Sequence, residues 1–184
     1  LLNSSFGFVR TKVTLVDESY NNIRVLNDNR KNKIFDCLLF EDGVPLTPGN
    51  YLLRMTSFKS VLPLLNIMAN VRGQNWQLLL PMAYSFKCGF IDEALNYYLV
   101  REGSMSHSDK DLHDEFHRCD EHQKIIIGTI TDFLAKDELS RLVGRIGNKY
   151  LIRKLFISMR YDDKALVKEL FVQIKLKTFK IYLS

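Results

Sequence analysis

From residue 109 onward the chain carries its clearest periodicity. A charged stretch without Gly or Pro holds Leu112, Phe116, Cys119, Ile125, Ile126, Ile130, Phe133 and Leu134, and apolar spacings of three and four predict a long amphipathic helix. Asp137 or Ser140 opens a second helix, carried by Leu142, Val143, Ile146, Tyr150, Leu151 and Leu155, and Asp162 or Asp163 caps a last one. Residues 174–183 alternate Lys with apolar side chains and fit a basic helix or a strand.

The first half follows a shorter period. Residues 7–17 alternate Val9, Val13 and Leu15 with polar positions and are rich in β-branched types, which predicts a strand. A turn cluster at 17–22 leads to a second short strand at 23–26, so the opening reads as a hairpin, closed by another polar turn at 27–32. Residues 34–40 form a helical turn or two, stopped by Glu41-Asp42-Gly43 and by Pro45 and Pro48. A short apolar run at 51–55, bounded by turn signals, predicts a buried strand. Thr56 or Ser57 caps a helix through Leu65, loosened at Pro63. Gly73 precedes a largely buried helix over 74–86 that Pro81 should kink. Gly89 then stops it, 90–92 turn, 94–101 form a strand, and 102–108 are a polar loop. The plan is a mixed half to about residue 108 followed by a helical half, without internal repeats or low-complexity segments.

Composition narrows the function classes. With 184 residues, 46% hydrophobic and 26% charged, the chain has the makeup of a single globular domain. No run approaches the roughly 18 apolar residues of a membrane span, and the opening residues do not form a signal peptide. Cys37, Cys88 and Cys119 are odd in number and lack Cys-x-x-Cys spacing, which argues against a disulfide framework or a cysteine zinc site and for a reducing compartment. The net charge of +5 is uneven, because from Lys164 onward there are five Lys and one Glu, leaving +1 for residues 1–163. A nucleic-acid binder spreads basic residues over a docking face, so nucleic acid is excluded as a partner. The basic tail, with Lys175, Lys177 and Lys180, either meets an anionic membrane surface or is solvated.

Two segments carry a family resemblance. Gly73-Gln-Asn-Trp-Gln-Leu-Leu-Leu-Pro81 resembles the Gly-x-Asp-Trp-x-Leu-x-Leu block that opens the acceptor-side helix of family 2 glycosyltransferases, inverting enzymes with the GT-A fold. Tyr97-Tyr-Leu-Val-Arg-Glu-Gly-Ser-Met-Ser-His107 resembles the strand and loop that follow it. The resemblance implies an α+β fold, with the acceptor-side part of a GT-A domain over residues 1–108, built with short strands, and a C-terminal helical region over 109–184. It implies attack by an acceptor hydroxyl on the anomeric carbon of a nucleotide-sugar, a carboxylate base at the head of the helix, and a divalent metal, Mn or Mg, on the departing diphosphate. The substrate-binding residues it points to are Gln74, Asn75, Trp76, Arg101, Ser104, Ser106 and His107, with Arg101 as a cationic clamp for phosphate oxygens.

The chain departs from the family in two places. Gln74-Asn75 stands where the acidic pair belongs, and an amide has no basic oxygen at neutral pH; Asn75 can hold an acceptor but cannot take its proton. No donor-binding βαβ unit with an Asp-x-Asp precedes the hairpin, and Asp109-Lys110-Asp111 sits at a helix start, where capping explains it. The expectation is therefore the C-terminal portion of the enzyme, inactive alone, with no metal in this chain and with nucleotide-sugar and saccharide or glycolipid acceptor bound by a longer parent in the cytoplasm, at the membrane surface. His113 and His117 share a helix face with His122 a turn away, which reads as a solvated or interhelical face rather than a zinc site. The competing class is a non-catalytic helical module that dimerises or docks on an assembly. In that class Gln74, Asn75 and Arg101 are scattered rather than converging on one cleft; for the block itself the competing reading is that Gln74 and Asn75 only cap the helix and Trp76 fills the core.

Overall fold

A computed structural model describes residues 5–45, 47, 49–61, 73–101 and 111–174. The fold is α+β, in the order β1 (Phe6–Val16), β2 (Asn22–Val25), α1 (Phe35–Phe40), β3 (Tyr51–Leu53), α2 (Met55–Val61), α3 (Gln74–Ser85), β4 (Lys87–Leu99), α4 (Leu112–Thr131), α5 (Lys136–Arg160) and α6 (Lys164–Gln173).

The opening hairpin is only part of a mixed sheet. β1 is long enough to pair with both short strands along one edge, antiparallel to β3 over Phe8–Arg10 and to β2 over Thr14–Val16. Its other edge runs parallel to β4 for its whole length. Parallel neighbours need a crossover rather than a tight turn, and here the crossover includes α1, α2 and α3.

The turn expected at 90–92 and the stop at Gly89 are corrected. β4 begins at Lys87, directly after the helix, and Gly89 lies within it, where a Cβ would stand 3.4 Å from Val9 Cγ2. The polar residues instead produce an irregularity, since Thr11 pairs with Ile91, Lys12 with Ala94 and Val13 with Asn96. Extra residues in one strand are absorbed as bulges when the flanking ladder holds the register. The run at 51–55 is likewise corrected: β3 has three residues and Leu52 is 69% exposed, because this strand ends at the sheet margin. α5 is capped by Ala135 rather than Asp137 or Ser140; Asp137 and Glu138 lie in its first turn, where they complement the helix dipole. α4 and α6 start at the expected caps, the side chains of Asp111 and Asp163 accepting from the Asp114 and Leu166 amides. α3 passes through Pro81 to Ser85. The expected helix end at Leu65 and the tail from 175 lie outside the described residues.

The helices build outward from the sheet. α3 packs on β1, α4 on α3, α5 on α4 and α6 on α5. One core runs through both halves, joining Phe8 and Cys88 of the sheet to Trp76 and Leu80 of α3, Ile126 and Ile130 of α4, and Leu142, Ile146 and Tyr150 of α5. Leu155, Leu170 and Ile174 form a smaller core under α6. All three cysteines are buried free thiols. The sheet also holds a charge pair that the sequence pattern does not announce. Arg10 is fully buried on β1, its Nε and Nη2 donating to Asp28 Oδ2 and Oδ1 at 2.6 and 2.5 Å, with the guanidinium 5.0 Å from the Phe90 ring centroid.

Candidate functional site

The head of α3 is built on a glycine. Gly73 is the N-cap residue, at φ 80 and ψ 25, and contributes no side-chain cap. A Cβ there would stand 2.5 Å from the Trp76 ring atoms Cε3 and Cζ3, so only glycine accommodates both the left-handed backbone and the indole beneath it. Trp76 is 3% exposed and its Nε1–H donates to the Leu38 carbonyl of α1 at 3.0 Å. Its ring meets His122 of α4 edge-on at 4.8 Å between centroids. Gln74 is exposed and Asn75 half-buried, both on the first turn. Trp76 thus fills the core, as the competing reading of this block expects, but Gly73, not Gln74 or Asn75, occupies the cap.

Beside Trp76 lies a knot of charge that the sequence reading missed. Glu41 ends α1 in the left-handed conformation, at φ 54. Its carboxylate accepts from Lys149 Nζ at 2.6 Å, Tyr150 Oη at 3.1 Å and Arg153 Nη1 at 3.0 Å, all from α5. Lys149 also donates to the Leu39 carbonyl at 3.1 Å, satisfying an orphan acceptor at the helix end. Burial would raise the Glu41 carboxyl, but the Lys149 and Arg153 cations outweigh it and hold it below the usual carboxylate range. The knot joins α1 to α5, and with every oxygen engaged Glu41 is a poor proton acceptor. A signal for His122 existed: it falls three residues after Cys119 and four before Ile126, on the apolar stripe of α4. For Glu41 there was none, because its partners lie more than a hundred residues away.

Burial depresses the His122 imidazole to about 4, helped by Arg153, Arg118 and Lys149 and opposed by Glu41. Its Nδ1 is buried without a hydrogen-bond partner. Below the unfolded value near 6.5 the unfolded chain therefore binds a proton that the folded chain does not, and stability falls as pH drops from about 6.5 to 4. Glu41 adds a loss of the same sign below about 4.5, where its carboxylate is protonated in the unfolded chain first. Urea unfolding at pH 7.5 and 5.0 should show a loss on the order of 1–2 kcal/mol for the native chain, allowing for the partial exposure of the ring. His122→Gln should lose clearly less between those two values. An equal loss in both proteins would remove His122 as the cause.

The other expected site residues lie elsewhere. Arg101 is exposed just beyond β4, after Val100, whose amide donates to the Val16 carbonyl at 2.8 Å. Arg101 thus follows the far end of β4, while Gln74, Asn75 and Trp76 lie on the first turn of α3. Ser104, Ser106 and His107 lie outside the described residues, as do Asp109 and Lys110. His113 and His117 are exposed, and His117 lies 3.7 Å from Glu121. His122, a turn away, lies instead at the contact of α4 with α3, the interhelical alternative for this stretch. Asp111, His113 and Asp114 have ligand atoms within 4.8 Å of one another at the exposed start of α4, where Asp111 already caps the helix. No helix among the described residues is long and apolar enough to cross a membrane.

No protein-family model matches the chain, and no curated protein or solved structure matches it either.

Proposed function

We propose that this chain is the acceptor-side portion of an inverting, nucleotide-sugar-dependent glycosyltransferase resembling family 2. The observation that carries the reading is the head of α3. There a left-handed glycine and an anchored indole hold Gln74 and Asn75 on the first turn of a helix that feeds directly into a strand parallel to β1. Helix starts within crossovers of this kind are where α/β layers bind ligands. The Asn75 amide oxygen accepts a hydrogen bond from the acceptor hydroxyl and orients it, and Gln74 adds a donor and an acceptor beside it. Arg101 and the following Ser104, Ser106 and His107 belong to the donor diphosphate, as a phosphate clamp distinct from the acceptor residues.

The divalent metal and the base do not fit the residues described at this head. The carboxylate in the neighbouring knot is Glu41, saturated by three donors from α5, and the Asp111 group sits apart at the start of α4. The metal is therefore assigned to the donor half of a longer protein, which makes a cell-surface polysaccharide or glycolipid from the cytoplasmic side, and no residue of this chain is assigned as the base. A non-catalytic helical interaction module is the second reading, favoured by the extent to which the charge around Trp76 holds helices together.

Calorimetric titration of this chain, and of a longer protein containing it, with UDP-sugars and Mn²⁺ separates the readings. Binding by the longer protein alone is the expected result. Binding by neither supports the interaction module, and tight metal-dependent binding by these residues alone overturns the division of labour.

A further inference from the structure

We infer that the open edge of β4 pairs antiparallel with the same edge of a second copy of this chain, with Tyr97 on the two-fold axis. Among the described residues β4 pairs with β1 alone. Its first half is screened: the Cys88 amide donates to the Asn32 carbonyl at 2.8 Å, and the Asp92 carboxylate is paired with Lys12 and Arg30. No described strand lies beside the second half. There the Val100 amide donates to the Val16 carbonyl of β1, so along the regular stretch leading to it the amide and carbonyl groups of Tyr97 and Leu99 turn to the open side. Such an edge is a template for another strand unless charge, proline or a bulge blocks it. Residues 93–101 contain no proline, and the bulges of β4 all precede Asn96.

The side chains select the occupant. Glu93, Leu95, Tyr97, Leu99 and Arg101 are exposed and alternate with half-buried Ala94, Asn96, Tyr98 and Val100, so the exposed set shares one face of the strand. That set is self-complementary, apolar in the middle with opposite charges at its two ends. Two copies set antiparallel about Tyr97 bring Leu95 of each opposite Leu99 of the other, and Glu93 opposite Arg101. A two-fold interface requires this reciprocity, in which one patch matches itself. Tyr97 is 65% exposed and Leu95 61%, and cross-strand pairing covers both. Other arrangements forfeit the match: a slip of two residues sets Glu93 against Leu99 or Leu95 against Arg101, and parallel strands set like charges together. Arg101 has five N–H donors, so a carboxylate from the second copy leaves it able to meet a phosphate as well.

The test is sedimentation equilibrium of the purified chain over a concentration series, with circular dichroism to show that each variant is folded. The native chain is expected to form dimers, and Tyr97→Lys, which brings two like charges together at the axis, to abolish them. Val172→Lys, at an apolar position of α6 that is 78% exposed, should dimerise as the native chain does. Glu93→Arg and Arg101→Glu should each raise the dissociation constant roughly 10-fold, because each change acts twice in a symmetric interface. Glu93→Arg/Arg101→Glu should restore it. The two positions are roughly 26 Å apart along one strand, so the restoration comes from pairing between copies. A chain that stays monomeric up to about 0.1 mM overturns the inference. So does a dimer that Tyr97→Lys leaves intact or that Val172→Lys dissolves, and so does a double reversal that restores nothing. No readout involves nucleotide or sugar, so the glycosyltransferase reading stands or falls separately.

Discussion

Asp28→Ala should destabilise the protein by about 3–5 kcal/mol, the range for removing one partner of a buried ion pair. Arg10 and Asp28 side chains are both 0% exposed, and their two parallel bonds of 2.6 and 2.5 Å form the bidentate arrangement for which guanidinium and carboxylate are matched. Removing the carboxylate leaves a cation that cannot lose its proton, buried against Phe90 without its counter-ion. The loss reaches the loop as well, because Asp28 Oδ1 also accepts from the Arg30 amide at 2.8 Å. Arg10→Met/Asp28→Leu should cost clearly less than Asp28→Ala, since no charge is then stranded. Urea denaturation of the two variants checks this. A cost below 1 kcal/mol for Asp28→Ala would show that water reaches the pair.

Trp76→Ala should cost a similar amount, about 3–5 kcal/mol. The indole joins α3 to both α1 and α4, so its removal opens a cavity where three helices meet and leaves the Leu38 carbonyl without its donor. Trp76→Phe separates the two effects: it keeps most of the volume and loses the hydrogen bond, at a cost of about 1–2 kcal/mol. Trp76 is the single tryptophan, so native unfolding is followed by its emission and the variants by circular dichroism. If Trp76→Ala and Trp76→Phe were equally mild, the head of α3 would be held by its neighbours alone. Loosening it should also displace Gln74 and Asn75, which ties this packing to the proposed acceptor contacts.

The helical half was legible because its side chains report their own burial. Cys119, Ile126 and Ile130 recur with the helix period, and Asp111 and Asp163 act within one turn of where they stand. The same holds for β1 and β2, whose pairing is local. β4 was legible only in its second half, because Gly89 and Asp92 are turn formers by local preference. Ten paired positions along β1 override that preference and turn the excess into bulges.

The candidate site divides in the same way. The block at 73–76 was visible as a motif, and its glycine and tryptophan have local roles that a sequence can state: a left-handed backbone before a helix, and a ring on a buried face. What surrounds it was not visible. Glu41 reads as part of a polar stop between short elements, and nothing near it in sequence indicates that Lys149, Tyr150 and Arg153 will converge on it. Arg10 reads as an ordinary outward residue of a hairpin strand until a loop brings Asp28 over it.

Periodicity, caps and the break between a mixed half and a helical half were determined by the sequence itself, since each depends on interactions within a few residues. The parallel pairing of β1 with β4, the knot at Glu41 and the burial of Arg10 were decided only by the tertiary structure. A charge becomes a structural group only when distant segments both remove its water and supply its counter-ion, and neither condition is written in its neighbours.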